Sequence, residues 1–238
     1  MKHKPSFFIF LVLVGLVLSS CSTLSAGPLQ TESRLIELGE AESAQIQVLM
    51  GAGRLRIEDG SQALLEGAFT YNIPEWRPEL TYTVDGEIGQ LLIQQPSGIE
   101  ILPQRGVSQY DWNLRLNDRV PLSMNVMLGT GEAQLYLGEL RLSDLSVTTG
   151  VGNTIIDLSG DWYNDLNVNI QGGVGQIDLR LPERVGIRLE TNGLAVVEAD
   201  GLTRDGNIYT NPSYGQSQSN LLITFQAGLG ALNVDINQ

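Results

Sequence analysis

Val147–Leu158 reads VTTGVGNTIIDL, and the role of its Gly150-Val151-Gly152 decides the fold. A Gly-x-Gly can open a phosphate-cradling loop, but that loop needs a helix whose N-terminus faces the anion. It can also punctuate a β-structure. After Gly152, Thr154, Ile156 and Leu158 occupy offsets two, four and six, with Asn153 and Asp157 between them. This period-two alternation marks a strand with one buried and one wet face. No helix pattern follows the glycines, so they are turn punctuation.

Five other sites share that phase. Gly53 is followed by Leu55 and Ile57 at offsets two and four. Gly131 is followed by Ala133, Leu135 and Leu137, and Gly175 by Ile177, Leu179 and Leu181. Gly193 is followed by Ala195, Val197 and Ala199, and Gly230 by Leu232, Val234 and Ile236. The intervening offsets are mostly polar. From Gly131 to Gly193 the steps are 21, 23 and 18 residues. Such spacing predicts stacked rungs, as in a β-solenoid or a rolled sheet. Asp59-Gly60, Asp85-Gly86, Asn192-Gly193 and Asp205-Gly206 add hairpin and corner signals. The expected fold is all-β, with two stacked solenoid-like parts, residues 34–117 and 118–238. Thr70–Pro78 and Gln104–Asn117 read as aromatic-bearing connections, and Thr210–Asn220 as a polar loop before the last rung.

The N-terminus is of another kind. MKHK precedes an apolar run from Phe7 to Val17, too short to span a bilayer as an ordinary helix but suited to the core of a secretory signal. It closes with Leu18-Ser19-Ser20-Cys21, which resembles the lipobox of bacterial lipoproteins. That resemblance implies cleavage after residue 20, lipidation of Cys21 and anchoring on the extracytoplasmic side of a bacterial membrane. Residues 21–33 then carry the lipidated cysteine and a flexible tether.

Cleavage would remove Lys2, His3 and Lys4. The remainder has arginines as its only basic side chains, set against all 27 Asp and Glu. That balance excludes sequence-independent nucleic-acid binding and a basic patch for anionic lipids. Without histidine there is no Ser-His-Asp or Cys-His arrangement. Without Cys or His the usual zinc, haem and iron–sulfur sites are out, and without Lys so are a Schiff base and a P-loop. Carboxylate chemistry and binding of hard cations by oxygen ligands remain.

The candidate site residues are aromatic. Trp162 and Tyr163 follow Asp157 and Asp161 around a turn. Three readings are open there: Trp162 caps the stack, the aromatics stack on sugar rings, or the carboxylates form a glycosidase pair. A glycosidase pair needs a shared cleft, with about 5 Å between carboxyl groups for retention and about 6.5–9.5 Å for inversion. Trp76, between Pro74 and Pro78, and Trp112 carry the same choice between packing and glycan contact. Asp157, Asp178 and Asp235 recur in similar settings, but their offsets of five, three and five do not make one column. The arginines Arg54, Arg56, Arg115, Arg141, Arg180 and Arg188 fall mostly on wet offsets, where they block edge aggregation or pair with carboxylates.

The stretch IQVLMGAGRLRIEDGSQALLEGAFTYNIPEWRPELTYTVDG resembles the N-terminal domain of the toast-rack family. VPLSMNVMLGTGEAQLYLGELRLSDLSVTTGVGNTIIDLSG and GGVGQIDLRLPERVGIRLET resemble its β-solenoid, related to the C-terminal domain of cell-wall-active-antibiotic response proteins and to adhesin-like proteins. The resemblance implies a non-enzymatic envelope protein without cofactors. Its roles would be envelope stress signalling through a protein partner, or adhesion to cell-wall glycan. The antibiotic-response relatives usually carry transmembrane helices before the solenoid, whereas this chain has the lipobox.

Overall fold

Each alternating stretch after the aligned glycines is a strand in the computed structural model, which describes residues 27–96 and 108–237. The signal-like stretch 1–20 and Cys21 lie outside the described residues. Five long strands carry the architecture: β2 (Ser43–Ser61), β7 (Leu122–Tyr136), β8 (Leu142–Asp157), β9 (Leu166–Pro182) and β14 (Asn220–Asn237). They pair in parallel in that order. A 3-10 turn at Pro74–Trp76 is the only helical element among the described residues.

Each long strand passes through its Gly-x-Gly instead of starting after it. Gly53, Gly131, Gly152, Gly175 and Gly230 stand in one register column. Gly152 has φ +140°, and a Cβ there would lie 1.8 Å from the Gly131 carbonyl oxygen. Both the positive φ and the close stacking require a residue without a Cβ. The bend lets the inward side chains on either side of it join one core: Val48, Val126, Val147 and Ile170 before it, and Leu55, Leu135, Ile156 and Leu179 after it. All eight are at most 1 % exposed. The middle residue of each bend points outward, leaving Val151, Val174 and Leu229 as an exposed ridge.

One sheet thus makes two layers. In the first layer, the leading halves of the long strands are flanked by β5 (Ile88–Gln94) and β4 (Glu79–Asp85) on one side. On the other lie β10 (Gly186–Gly193), β13 (Ile208–Thr210) and β12 (Thr203–Asp205). In the second layer, the trailing halves are flanked by β6 (Tyr110–Asn117), β3 (Leu65–Tyr71) and β1 (Gln30–Ile36), and on the far side by β11 (Val196–Ala199). The pairs Asp85-Gly86 and Asp205-Gly206 sit at two-residue hairpin turns, β4 to β5 and β12 to β13, with Gly86 at φ +61° and Gly206 at φ +62°.

Two sequence expectations change. Gln104–Asn117 is not a connection throughout: Tyr110–Asn117 is a strand whose Tyr110, Trp112, Leu114 and Leu116 point inward. The tether ends earlier than residue 33, because Gln30–Ser33 pair with Ala68–Tyr71. Residues 34–117 and 118–238 meet in one sheet, where β2 pairs with β7 over 13 residue pairs from Ala44 to Ile57. The order of the rungs departs from chain order at one place. The last strand, β14, inserts between β9 and β10. Its Gly228-Leu229-Gly230 matches the doubled glycine of β9, whereas the Thr-Asn-Gly before Leu194 has one glycine and falls opposite Ala227.

Candidate functional site

Away from the glycine spine, the rungs turn back through Leu137–Arg141 and Leu158–Asp165. These turns stack closely: a Cβ on Gly138 would lie 2.0 Å from the Ser159 carbonyl oxygen. They frame a hollow of about 630 Å³ lined by Asp118, Glu139, Arg141, Asp161, Trp162, Tyr163 and Asp165, among others. Trp162 closes its floor. Its indole N–H donates to the Leu158 carbonyl at 2.8 Å, and its own carbonyl accepts from the Ser219 hydroxyl at 2.5 Å. Asp165 accepts from the Asn220 backbone N–H at 2.8 Å, tying the turn to the start of β14. Arg141 donates to the Arg119 carbonyl at 2.8 Å. Tyr163 is 76 % exposed at the rim. The hollow therefore presents an exposed phenol among four carboxylates and one guanidinium.

The predicted aromatic residues divide sharply. Trp162 is 9 % exposed, Trp76 6 % and Trp112 0 %. Trp76 and Trp112 meet Tyr110 with ring centroids at 5.3 and 5.5 Å, and Phe69 stands edge-on to Trp112 at 5.6 Å. These rings fill the second-layer core beneath β6, because the inward side of an amphipathic strand buries whatever it carries. The three tryptophans are thus not available as stacking platforms for a sugar, and of the predicted contact residues only Tyr163 faces solvent. Burial also pushes the Tyr110 phenol pKa well above its ordinary value.

The carboxylates separate as well. Asp157 does not line the hollow with Asp161. It accepts from the Ser159 backbone N–H at 3.0 Å and pairs with Arg180 at 3.2 Å on the outer face of the second layer. Arg180 stands in register with both Asp157 and Asp235, while Asp178 lies one column over, opposite Ile155 and Asn233. Among the described residues no group of three or more His, Cys, Asp or Glu is placed to hold a metal ion.

That outer face is held by its own charges. Arg54 makes a two-pronged bond to Asp111, 2.8 Å on each prong. Arg56 pairs with Glu58 at 2.7 Å, reaches Gln134 at 3.1 Å and lies 4.5 Å above the Tyr136 ring. Arg115 pairs with Glu66, and on the first layer Arg188 pairs with Glu190 at 3.0 Å. The bonds from Arg54 hold the Asp111 carboxyl below the usual carboxylate range, opposed by its burial and helped by Gln109. Glu32 in β1 is lowered chiefly by the hydrogen bonds it accepts from Arg77.

The residues that sequence reasoning passed over lie before the glycines. Gln47, Asn125, Ser146, Asn169 and Thr224 form one outward column across the first layer. The same alternation that marks the strands after the glycines runs through them, ahead of each Gly-x-Gly.

The family model for the N-terminal domain of toast_rack, DUF2154, matches residues 25–180. A solved structure from Clostridium sporogenes ATCC 15579, described as a "putative cell adhesion protein", is 33 % identical. The match covers 88 % of this chain and 100 % of that one, with a TM-score of 0.85. A Bacteroides fragilis NCTC 9343 structure described as a "putative adhesin" is 12 % identical over 87 % of this chain and 97 % of its own, with a TM-score of 0.36. No curated protein matches the sequence. The family match spans more than half of the chain, and the Clostridium relative matches along its whole length. The chain belongs to the toast-rack family.

Proposed function

We propose that the chain is a non-catalytic, lipid-anchored binding module of the bacterial cell envelope, held by Cys21 outside the membrane and docking another envelope protein at the loop end. One observation carries this reading: Tyr163 stands exposed at the mouth of a hollow built from stacked turns on a rigid sheet. Exposed aromatic side chains beside desolvated pockets are where binding energy concentrates in protein interfaces. The excess of carboxylates there selects a partner with a basic surface. The likeness to the Clostridium "putative cell adhesion protein" is consistent with a binding role. Signalling in envelope stress would follow from the identity of the partner.

The test is a pull-down of the full chain, gently extracted from its own membranes. Carboxylate-directed cross-linking suits it, because the part after Cys21 has no lysine. A single stoichiometric partner, lost in Tyr163→Ala, is the expected result. In parallel, Cys21→Ser should move the protein from the membrane fraction to the soluble fraction. If it stays membrane-bound, the lipid anchor is wrong.

A further inference from the structure

The outer face of the first layer is built unlike that of the second. Over the five long strands its central column, Gln47, Asn125, Ser146, Asn169 and Thr224, carries no charge, and it ends at Glu190 on β10. The next column carries Thr148, Gln171 and Gln226 on β8, β9 and β14, and the apolar Leu49 and Met127 on β2 and β7. The sheet hollows here into a depression of about 680 Å³ running from β2 to β10. Its lining includes two charges of opposite sign, Asp144 and Arg188, and Arg188 is already paired with Glu190. Among the described residues, the side chains of Gln47, Asn125, Asn169, Gln171 and Gln226 make no hydrogen bond within the protein. Asn167 to Asp144, at 3.5 Å, is the nearest exception on this face.

This chemistry narrows the ligand. A primary amide offers two donors and an acceptor, which matches a hydroxyl that both donates and accepts. No cation cluster is present for phosphate or sulfate, and no anion cluster for a polycation. The face is too polar for a lipid tail. An extended peptide pairs through its main chain at a sheet edge, whereas on a sheet face the main chain is already paired. The columns repeat at about 4.8 Å from strand to strand, so equivalent amides recur along a line across the strands. The depression also falls within the roughly 300–1,000 Å³ range of small-ligand sites. Leu222, on the same face, supplies an apolar contact for C–H groups.

We infer that this face binds a neutral, hydroxyl-rich glycan laid across the strands. The site is separate from the loop-end hollow and needs neither Tyr163 nor any tryptophan. The test titrates the full chain, extracted in detergent, with two neutral hexasaccharides, chitohexaose and cellohexaose, and with polygalacturonate as an anionic polymer. A neutral hexasaccharide should bind with a Kd of about 1 mM or tighter, and the affinity should not change as NaCl is raised. Binding of chitohexaose alone assigns recognition to the acetamide, and binding of both assigns it to the hydroxyls. Asn125→Ala with Asn169→Ala should weaken binding at least about tenfold, whereas Arg56→Gln on the opposite face and Tyr163→Ala should leave it unchanged. If the double variant lost its cooperative thermal transition, the isosteric Asn169→Asp would take its place with the same expected direction. The inference is overturned if neither neutral hexasaccharide binds, if polygalacturonate binds more tightly than both, or if a folded variant keeps full affinity. Retention of a protein partner by the double variant, with loss at Tyr163→Ala, separates this site from the loop-end one.

Discussion

The two outer faces of this molecule are cut from the same five strands, yet one is closed upon itself and the other is open. On the second layer, arginines reach across strands to carboxylates, as in Arg54–Asp111 and Arg180–Asp157, and Asn233 and Gln176 both donate to Asp178 at 2.8 Å. On the first layer, the amides of neighbouring strands stand in register without bonding one another. On the second layer guanidinium and amide donors face carboxylates across the gap between strands, whereas the amides and hydroxyls of the first-layer column face one another. Composition on a fixed scaffold therefore decides whether a face spends its hydrogen bonds internally or keeps them for a ligand.

The largest effect breaks both faces at once. Gly152→Ala should cost about 4 kcal/mol or more, because it places a Cβ 1.8 Å from the Gly131 carbonyl at a φ disfavoured for L-residues. Denaturant melts would show it, and a loss below about 1 kcal/mol would mean that the column of glycines is not what sets the bend. Trp112→Ala, under the charged face, should cost about 3–5 kcal/mol as a cavity in a fully buried site. Its melt should lose the near-ultraviolet signal of the aromatic cluster as well.

The second-layer face should answer to pH through Asp111. Asp111 has a lowered pKa in the folded state, so its bonds to Arg54 stabilise the fold fully above about pH 4, its unfolded value. That contribution disappears as the pH falls through the folded value. Asp111→Asn should therefore lose about 1 kcal/mol at pH 7 and much less at pH 3, read from urea midpoints at the two pH values. Equal losses at both would show that the carboxylate charge is not what matters. The smallest effect is on the open face: Asn125→Ala and Asn169→Ala should each change stability by no more than about 0.5 kcal/mol at either pH. A larger loss would mean that these amides serve the fold and are not held for a ligand.

The relation between faces was half legible. Inward positions after each glycine could be read directly, from Leu55 and Ile57 to Leu232 and Val234, because strand alternation is a local property of the backbone. The arginine pairings were legible as a tendency only, since Arg56 finds Gln134 from 78 residues away in sequence. Trp112 lies in a strand and not in a connection, and its phase is shared by Tyr110, Leu114 and Leu116, with the polar Asp111 and Asn113 on the other face. The loop-end hollow could be suspected from Trp162-Tyr163, but which of the two rings faces solvent depends on Leu158 and Ser219 holding the indole inward.

The amino-acid sequence by itself determined that this is an all-β chain of repeated glycine-bent strands, that its described core is held by apolar packing, and that its charge is acidic. Those follow from alternation, glycine placement and composition, which need no knowledge of neighbours. Only the tertiary structure decided which rung lies beside which. Every rung offers the same alternating edge, so periodicity cannot choose between partners. At the bend, Gly228 and Gly230 of β14 lie against Gly173 and Gly175 of β9, and Gly193 of β10 lies against Ala227 of β14. The same stacking brought Gln47, Asn125, Ser146, Asn169 and Thr224, scattered over 178 positions of sequence, into one line on one face.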